Sequence, residues 1–211
     1  MIRIRVDPRH PDRAAIGRAA DVLRAGGLAA IPTDTLYGLA ADAFNPDAVA
    51  RVFAVKGRAA DRALPLVAAS AAQVREYFGA LPMIGAQLAE RFWPGPLTLV
   101  LPAPEALPDD VTGGLGTVGV RVPAHGVTTA LCGACGVPLT ATSANPTGDP
   151  PTDDPDSVVR SLGDTIDLLV DAGRTPGGAP STIVDVTGAA PRLIRAGAIA
   201  WEEVQACLRH G

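Results

Sequence analysis

Residues 31–58 read IPTDTLYGLAADAFNPDAVARVFAVKGR, and this stretch sets a strand end, a polar turn and a helix in succession. It contains Lys56, the only lysine among 18 basic residues; the other 17 are arginine. A compact, rotatable ammonium can reach a phosphate oxygen in a narrow pocket, where the planar arginine fork does not fit. The retained lysine is therefore a candidate binding residue, with chance survival at a helix end as the alternative.

The helix that carries Lys56 is predicted from its first residues. Asn45 is placed as the N-cap and Pro46 as the first helical residue, which are preferred positions for these residue types. Helical spacing puts three apolar side chains on one face with Lys56: Val49, Val52 and Phe53. Lys56 is thus expected to end a helix whose apolar side is buried.

The composition indicates a globular protein with a real core, since 47% of its 211 residues are hydrophobic. A net charge of -4 argues against a general binder of nucleic acid or anionic membranes. Aromatic residues make up only 4%, too few for a base-stacking platform. No apolar run reaches membrane-spanning length, and the N-terminal MIRIRVDPRH lacks the apolar core of a signal peptide, so a cytoplasmic location is expected.

Cysteine and histidine do not suggest a metal or redox centre. Cys132 and Cys135 form one CxxC, a spacing used in redox and zinc sites, but there is no second CxxC and small apolar residues surround the pair. We therefore predict that both are packing residues. His10, His125 and His210 show no metal-ligand spacing and are expected at the surface or at helix caps.

Strand-like and helix-like segments alternate along the chain, which favours a single α/β domain over residues 1–211. Strands are expected at 2–6, 28–32, 64–69, 97–101, 117–123, 138–142, 166–170, 181–186 and 192–195. Helices are expected at 12–25, 46–56, 71–79, 82–92, 126–135, 157–162 and from residue 201. Residues 102–116 are predicted to be flexible, and residues 146–156 to form a mobile lid or connection.

Polar side chains capable of chemistry lie where apolar strands run out, which is where α/β sheets bind ligands. They are Thr33, Asp34, Thr35, Arg121, Ser143, Asn145, Ser181, Thr182 and Arg195. Asn145 is one of only two asparagines; the other, Asn45, already has a capping role. A ligand-binding amide is favoured for Asn145 over a plain turn role.

Arg121 lies between Val120 and Val122 in a strand that is expected to be buried. A buried arginine needs an anion, because an uncompensated interior charge costs about 3 to 5 kcal/mol. The anion is either an aspartate of the chain or a ligand carboxylate or phosphate. With Lys56, Arg58 and Arg195, Arg121 would give a basic cavity suited to a small polyanion. The sequence has neither GxxxxGK[ST] nor GxGxxG, so a P-loop or Rossmann nucleotide site is disfavoured.

Six motifs carry a resemblance to a known family. They are PTDTLYGLAADA, the Lys56-Gly57-Arg58 triplet, WPGPLTLVL, VGVRVP, TSANPTG and STIVDVTG with LIRAGAI after it. In order and spacing they resemble the YrdC-like threonylcarbamoyl-AMP synthase family, over residues 10 to 200. The resemblance implies a twisted, open mixed sheet with flanking helices and a large basic cavity. It also implies the short, single-domain form without a C-terminal extension domain.

The resemblance further implies an ATP-dependent nucleotidyltransferase. Such an enzyme converts L-threonine, bicarbonate and ATP into threonylcarbamoyl-adenylate and pyrophosphate, with Mg2+ accompanying the ATP. A separate tRNA threonylcarbamoyl transferase then uses the product to modify an adenosine of tRNA. Direct contact with tRNA would be weak or transient, and no membrane is involved.

Site residues follow from the same resemblance. It assigns catalytic roles to Lys56 and Arg58. Residues implied to bind ATP are Lys56, Arg58, Thr117, Ser143, Asn145 and Arg195, and residues implied to bind threonine are Thr33, Arg121 and Ser181. Tyr37 follows the same turn as Thr33 and is equally consistent with packing.

Two other functions remain open. One is a non-catalytic module that binds RNA or the ribosome, against which the negative net charge counts. The other is a carbamoyltransferase acting through carbamoyl-adenylate, as in larger hydrogenase-maturation proteins that contain a similar domain. Those proteins carry additional cysteine repeats of the zinc-binding type, which this sequence lacks.

Overall fold

A computed structural model describes residues 1–57 and 62–209 of the chain. Within this part, eleven strands and eight helices alternate, and the predicted α/β fold is confirmed. The strands are β1 (Ile2–Arg5), β2 (Ala29–Ile31), β3 (Gly38–Ala40), β4 (Leu66–Val67), β5 (Leu97–Pro102), β6 (Thr117–Arg121), β7 (Leu139–Thr140), β8 (Thr142–Ser143), β9 (Leu168–Asp171), β10 (Thr182–Asp185) and β11 (Arg192–Arg195). The helices are α1 (Arg13–Arg24), α2 (Pro46–Lys56), α3 (Ala71–Phe78), α4 (Met83–Phe92), α5 (Asp109–Thr112), α6 (Gly126–Cys135), α7 (Pro155–Leu162) and α8 (Trp201–Arg209).

The strands are divided between two mixed sheets. The first has the order β1-β9-β2-β3-β8; β1, β9 and β2 run parallel, while β3 is antiparallel to both of its neighbours. The second has the order β11-β10-β5-β6-β4-β7, in which β5 is parallel to β10 and antiparallel to β6. The chain must therefore connect the two sheets.

The join lies in the run PLTATS, where one strand was predicted over residues 138–142. Leu139–Thr140 pairs with β4 in the second sheet, whereas Thr142–Ser143 pairs with β3 in the first. The amide of Ala141 donates to the carbonyl of Pro65 over 2.8 Å, which continues the register of β7 with β4, and the next residue already pairs with β3. The chain thus changes sheets at Ala141 and carries Ser143 to the place where the sheets meet.

Apolar residues pack into two clusters. The larger unites the sheets, with Leu39 and Leu169 from the first and Leu66 and Leu99 from the second. The smaller lies under α1 and α6 and includes Leu168, the chain neighbour of Leu169. Because successive strand residues point to opposite faces, β9 contributes to both clusters. Full burial of each such leucine stabilises the fold by about 1.5–3 kcal/mol.

Helix α2 begins and ends as the sequence predicts. The side chain of Asn45 accepts hydrogen bonds from the amides of Asp47 and Ala48, and Pro46 is the first helical residue. Gly57 ends the helix in the left-handed conformation, with φ 57°, which glycine adopts without a Cβ penalty. Val49, Val52 and Phe53 are buried, so the predicted burial of the apolar side is confirmed, and Lys56 at its end is 4% exposed.

Three local predictions differ from the structure. The segment 102–116 contains the short helix α5, whose Val111 and Thr112 are buried. Residues 146–156 are held by backbone hydrogen bonds to Lys56, Tyr37 and Thr175 rather than lying free as a lid. Helix α7 begins at Pro155, two residues earlier than predicted, because Asp154 caps it and proline suits the first helical position. None of the helices in the described residues is long and apolar enough to cross a bilayer.

Candidate active site

A cavity of about 550 Å3 opens against the second sheet. Strands β5, β6 and β10 line it with every second residue, as the strand period requires. These residues are Thr98, Val100, Thr117, Gly119, Arg121, Ser181, Ile183 and Asp185. The first sheet contributes the turn before β3, together with Thr142 and Ser143. The volume lies within the range of about 300–1,000 Å3 that is usual for small-molecule sites.

Arg121, at the end of β6, forms a buried ion pair with Asp34. Its Nη1 lies 2.8 Å from Oδ1 of Asp34, and the two side chains are only 8% and 9% exposed. Burial lowers the pKa of Arg121, and the nearby positive charge of Arg195 adds to this, whereas Asp34 opposes it. Of the two anions considered from the sequence, the aspartate of the chain is therefore present. Arg121 also lines the cavity, where a ligand anion could bind the same guanidinium.

The turn that carries Asp34 is held by hydroxyl groups. The hydroxyl of Thr33 donates to the carbonyl of Leu36 over 2.7 Å and accepts from the amide of Thr35 over 3.1 Å. The carbonyl of Thr35 accepts from both the hydroxyl of Thr175 and the amide of Gly177, each over 2.8 Å. The turn is thus rigid on both sides before any ligand binds.

Ser181, directly before β10, and Arg195, at the end of β11, meet in the cavity lining. Nη2 of Arg195 donates to the carbonyl oxygen of Ser181 over 2.7 Å and to its hydroxyl over 3.1 Å. The Ser181 hydroxyl also lies 2.8 Å from the hydroxyl of Thr98, a residue that the sequence did not single out. Burial lowers the pKa of Arg195 as well. Two arginines and two hydroxyl groups thus face the cavity from adjacent strands.

Lys56 lies behind the cavity wall, against the chain that follows the join. Its Nζ donates to the carbonyl oxygens of Ser143 and Asn145 over 2.7 and 2.5 Å, and it lies 3.2 Å from the Ser143 hydroxyl. The carbonyl of Lys56 itself accepts from the amide of Thr147. The ammonium therefore fixes the segment 143–147 to the end of α2, and Ser143 presents that segment to the cavity.

The side-chain amide of Asn145 contacts both its own loop and Lys56. Its Nδ2 donates to the carbonyl oxygens of Pro146 and Asp149 over 3.0 and 2.6 Å, as a turn residue does, and its Oδ1 lies 3.4 Å from Nζ of Lys56. Among the described residues, Lys56 and Asn145 are absent from the cavity lining, whereas Thr33, Thr117, Arg121, Ser143, Ser181 and Arg195 are in it. Arg58 lies outside the described residues, and its roles stay predictions.

Charge in the described part of the lining is mainly positive, with Arg121, Arg192 and Arg195 against a single carboxylate, Asp185. Burial raises the pKa of Asp185, but the hydrogen bonds from Thr187 and the ion pair with Arg192 over 2.9 Å outweigh it, so the pKa is lowered. These two residues were not predicted from the sequence. Strand periodicity could have indicated them, because Asp185 lies on the same face of its strand segment as Ser181, and Arg192 lies on the same face of β11 as Ile194.

Cys132 and Cys135 are buried in α6, unpaired, with the pKa of Cys135 raised to about 11 by burial. Burial also raises the pKa of Cys132. In the described residues no three His, Cys, Asp or Glu side chains are grouped as a metal site would require. Packing is therefore the role that the structure gives this CxxC.

The sequence of this chain matches that of a known protein family. The family model named Sua5_yciO_yrdC, with the description telomere recombination, matches residues 21–197. The match thus covers most of the chain. The chain belongs to the Sua5/YciO/YrdC family.

Two curated relatives are named threonylcarbamoyl-AMP synthase. The protein of Pyrococcus abyssi is 42% identical over 187 residues, covering 89% of this chain and 55% of the relative. That of Bacillus subtilis is 40% identical over 194 residues, covering 92% and 56%. A crystal structure of P. abyssi Sua5 complexed with L-threonine superposes with a TM-score of 0.94 at 40% identity, covering 99% of this chain and 61% of that one. The chain therefore spans little more than half the length of these relatives.

Proposed function

We propose that this chain synthesises threonylcarbamoyl-adenylate from L-threonine, bicarbonate and ATP and releases pyrophosphate. The name of its relatives and the L-threonine in one related crystal structure support the substrates. The observation that carries the proposal is the buried Arg121, which faces a cavity of suitable size with part of its guanidinium unused by the protein.

The amino-acid end of the cavity lies between the Thr33 turn and Ser181. Arg121 would bind the substrate carboxylate through the guanidinium N–H groups that Asp34 leaves available, which suits a planar, bidentate anion. The hydroxyl groups of Thr33 and Ser181 would take the polar groups at the substrate's other end. Because both hydroxyls are already oriented by protein partners, little ordering cost is expected on binding.

The nucleotide end would involve Thr117, Ser143 and Arg195, with Arg195 facing the phosphates. Lys56 supports this end through the loop it holds, and its charge lies 3.2 Å from the Ser143 hydroxyl. Asn145 would act through the same loop. The ATP-binding roles of Lys56, Arg58 and Asn145, and the catalytic roles of Lys56 and Arg58, remain predictions within this proposal.

The reaction brings two anions together. The threonine ammonium group forms a carbamate with bicarbonate, with loss of water and a proton, and a carbamate oxygen then attacks the α-phosphorus of ATP. The bond from that phosphorus to the bridging oxygen breaks, and pyrophosphate leaves. Holding both reactants among arginines in a partly dry cavity lowers their repulsion and supplies proximity, which are large effects in catalysis.

Mg2+ is expected to accompany ATP. The described cavity lining offers one carboxylate, Asp185, already paired with Arg192, which fits an ion carried by phosphate oxygens and water rather than one held in a protein cage. When bound, the ion would offset the negative charge of the phosphates. Arg195 and Ser143 would then orient the phosphates that carry it.

We further place the chain in tRNA modification in the cytoplasm. The adenylate would pass to a separate tRNA threonylcarbamoyl transferase, and direct tRNA contact would be weak or transient because the net charge is -4.

The test is pyrophosphate release from ATP with L-threonine and bicarbonate omitted in turn. Release that requires both substrates, with threonylcarbamoyl-adenylate detected by mass spectrometry, is the expected result. Release that ignores threonine would contradict the proposal, and carbamoyl-adenylate formed from carbamoyl phosphate would support the carbamoyltransferase alternative. Tight RNA binding without turnover would support the RNA- or ribosome-binding module.

A further inference from the structure

Two buried hydroxyl groups in the cavity lining share one hydrogen bond. Oγ1 of Thr98 and Oγ of Ser181 lie 2.8 Å apart, and the two residues are only 2% and 9% exposed. Nη2 of Arg195 donates to the same Ser181 hydroxyl over 3.1 Å. A guanidinium has donors only, so one acceptor site of the Ser181 oxygen is filled by Arg195.

The hydroxyl pair has one hydrogen more than its own contact needs. Each hydroxyl carries one hydrogen, and the contact between Thr98 and Ser181 uses only one of the two. Neither hydroxyl contacts another acceptor in the part of the chain that the structure describes. Whichever residue donates to the other, one O–H group is left to donate to a ligand in the cavity that both residues line. The ligand group that binds here is therefore an acceptor.

Arg195 favours Ser181 as the residue with the free hydrogen. A hydroxyl that already accepts from a guanidinium is polarised, which makes it a better donor to the next group. The Thr98 hydroxyl contacts no polar group of the described residues other than Ser181, so its hydrogen is used there. Thr98 then fills the second acceptor site of the Ser181 oxygen, and Ser181 is left as a donor toward the ligand.

The backbone of Ser181 is also held in place. Its carbonyl oxygen accepts from Nε and Nη2 of Arg195 over 3.2 and 2.7 Å. The carbonyl of the preceding residue, Pro180, accepts from the amide of Ala198 over 2.9 Å. Gly197 lies so close to the backbone of Pro180 and Ser181 that a Cβ would collide with both. The position of the Ser181 hydroxyl is therefore set before any ligand binds.

We propose that Ser181, held by Thr98 and Arg195, binds an oxygen of the carbamate and not the ammonium group of L-threonine. An ammonium group only donates, so its hydrogens would meet the hydrogen of Ser181, whereas a carbamate presents two acceptor oxygens. Thr98 is a positioning residue that acts through Ser181. This inference rests on the proposed function, because it assigns a binding group to the intermediate of that reaction.

Arg195 distinguishes the carbamate from the neutral side-chain hydroxyl of threonine, which is also an acceptor. Arg195 forms no ion pair with an acidic side chain of the described residues, so its charge is available to an anion. A hydrogen bond to an ionised group is roughly twice as strong as one between neutral groups. The carbamate must also reach the α-phosphorus, and Arg195 faces the phosphates in the proposed function. The carbamate oxygens therefore belong beside Ser181 and Arg195.

The strand register gives the two anions of the intermediate separate cations. Ile183 of β10 pairs with both Thr98 and Arg195, and the ladder of β5 with β6 brings Thr98 level with Arg121. Arg195 and Arg121 thus lie in one row across the sheet, three strand spacings or about 14 Å apart at the backbone. Arg121 is assigned to the carboxylate, which leaves the carbamate to the end of the row at Arg195.

N-carbamoyl-L-threonine tests the polarity of Ser181 without turnover. Its amino nitrogen carries a carbonyl group, so it presents an acceptor where L-threonine presents an ammonium group. Thr98→Val removes the hydroxyl at nearly constant size and should weaken binding of this probe about tenfold, while Kd for L-threonine stays within about threefold, both measured by isothermal titration calorimetry. Equal weakening of both ligands, or of L-threonine alone, would contradict the inference. So would a failure of the probe to bind an unsubstituted protein that binds L-threonine.

Thr140→Val is the matched control. Thr140 is fully buried, and its hydroxyl binds the backbone of Ala41 and Leu39, but it is not among the described residues that line the cavity. The variant should lower stability in urea unfolding and leave Kd unchanged for both ligands. An equal loss of probe binding in Thr140→Val and Thr98→Val would reduce Thr98 to a structural role.

A double-mutant cycle tests whether Thr98 acts through Ser181. Thr98→Val should add little to the loss of probe binding caused by Ser181→Ala, because the hydroxyl that Thr98 positions is gone. Losses that add fully would show that Thr98 acts independently of Ser181 and would overturn its role.

Steady-state kinetics connect the inference to the reaction. In Thr98→Val, KM for bicarbonate should rise about tenfold, and KM for L-threonine should rise with it because carbamate formation retains the bound amino acid. An unchanged KM for bicarbonate in an active variant would refute the inference and leave the proposed function intact. If the unsubstituted protein releases no pyrophosphate with threonine and bicarbonate, the proposed function fails, whereas the calorimetric comparison still decides the polarity of Ser181.

Discussion

Lys56 and Arg121 illustrate how differently two buried cations are satisfied. Arg121 has a carboxylate partner and faces the cavity, whereas the ammonium of Lys56 binds the carbonyl oxygens of Ser143 and Asn145 and so holds a loop. The Lys56 ammonium contacts three oxygens of two residues, which a compact group with three rotatable donors can reach more readily than a planar fork. The retention of a single lysine thus has a geometric reason at this position.

Lys56→Arg should fold but lose both stability and activity. Mismatched donors among buried carbonyls should lower the free energy of unfolding by about 1–3 kcal/mol, and displacement of Ser143 should reduce pyrophosphate release at least about tenfold. Urea unfolding and the omission assay measure the two effects. Arg51→Lys, on the exposed side of the same helix, is the control and should change neither. Unchanged turnover in Lys56→Arg would show that the segment 143–147 accepts a guanidinium in place of the ammonium.

Gly119→Ala tests the floor of the cavity. A Cβ at this position would lie 3.0 Å from Cγ2 of Thr98, so the threonine must shift and disturb its hydroxyl contact with Ser181. We expect a rise in KM for threonine of roughly tenfold. Steady-state kinetics measure it, with Gly17→Ala in α1 as control, where no atom lies within 4 Å of the added Cβ. An unaffected KM would mean that Thr98 can shift without disturbing the binding of threonine.

At the scale of elements, helices were predicted more accurately than strands. Asn45, Pro46 and Gly57 mark the ends of α2 by local chemistry alone, which is why its bounds were predictable. The run 138–142 gave no local sign that it would be shared between two sheets, because the change depends on the distant pairing partners β4 and β3. Helix α5 was missed since four residues are too short for helical periodicity.

Helix α6 makes a prediction about thiol chemistry. Burial raises the pKa of Cys135 to about 11 and also raises that of Cys132, so neither forms a thiolate at neutral pH and both should resist alkylation in the folded protein. Intact-mass measurement after iodoacetamide treatment at pH 8 should show at most one adduct, at the half-buried Cys207, and three after denaturation. Cys207→Ser should then show none while folded. Labelling of Cys135 in the folded protein, or a Cys132–Cys135 disulfide, would contradict burial as the controlling factor.

At the scale of the whole molecule, the sequence predicted which residues converge but not how each is used. Thr33, Arg121, Ser181 and Arg195 were expected at strand ends and do line one cavity. Asp34 was named among these polar residues, but its pairing with Arg121, like the contact of Thr98 with Ser181, could not be identified, because a hydrogen bond between distant segments leaves no pattern in a single sequence. That the ammonium of Lys56 would bind the carbonyl oxygens of Ser143 and Asn145 could not be predicted without knowing where residues 143–147 lie.

Ligand-induced stabilisation should separate the two ends of the cavity. A ligand at about 100 times its Kd adds about 2.7 kcal/mol, which for a chain of this size raises Tm by about 5–10 °C. L-threonine and ATP should each raise Tm, and Arg121→Gln should abolish the response to threonine while keeping that to ATP. Differential scanning calorimetry at matched ligand concentrations measures both responses. Loss of both responses in Arg121→Gln would contradict the prediction and would mean that Arg121 stabilises the whole cavity rather than binding threonine.

The change of sheets at Ala141 has a consequence for how such a cavity could be reshaped. Ser143 reaches the cavity because a single residue separates two strands that belong to different sheets. Lengthening or shortening this connection would shift Ser143 without altering any other side chain that lines the cavity. The shape of the cavity thus depends on the spacing of a short run of backbone as well as on the lining residues, and a redesign of its size would begin with PLTATS.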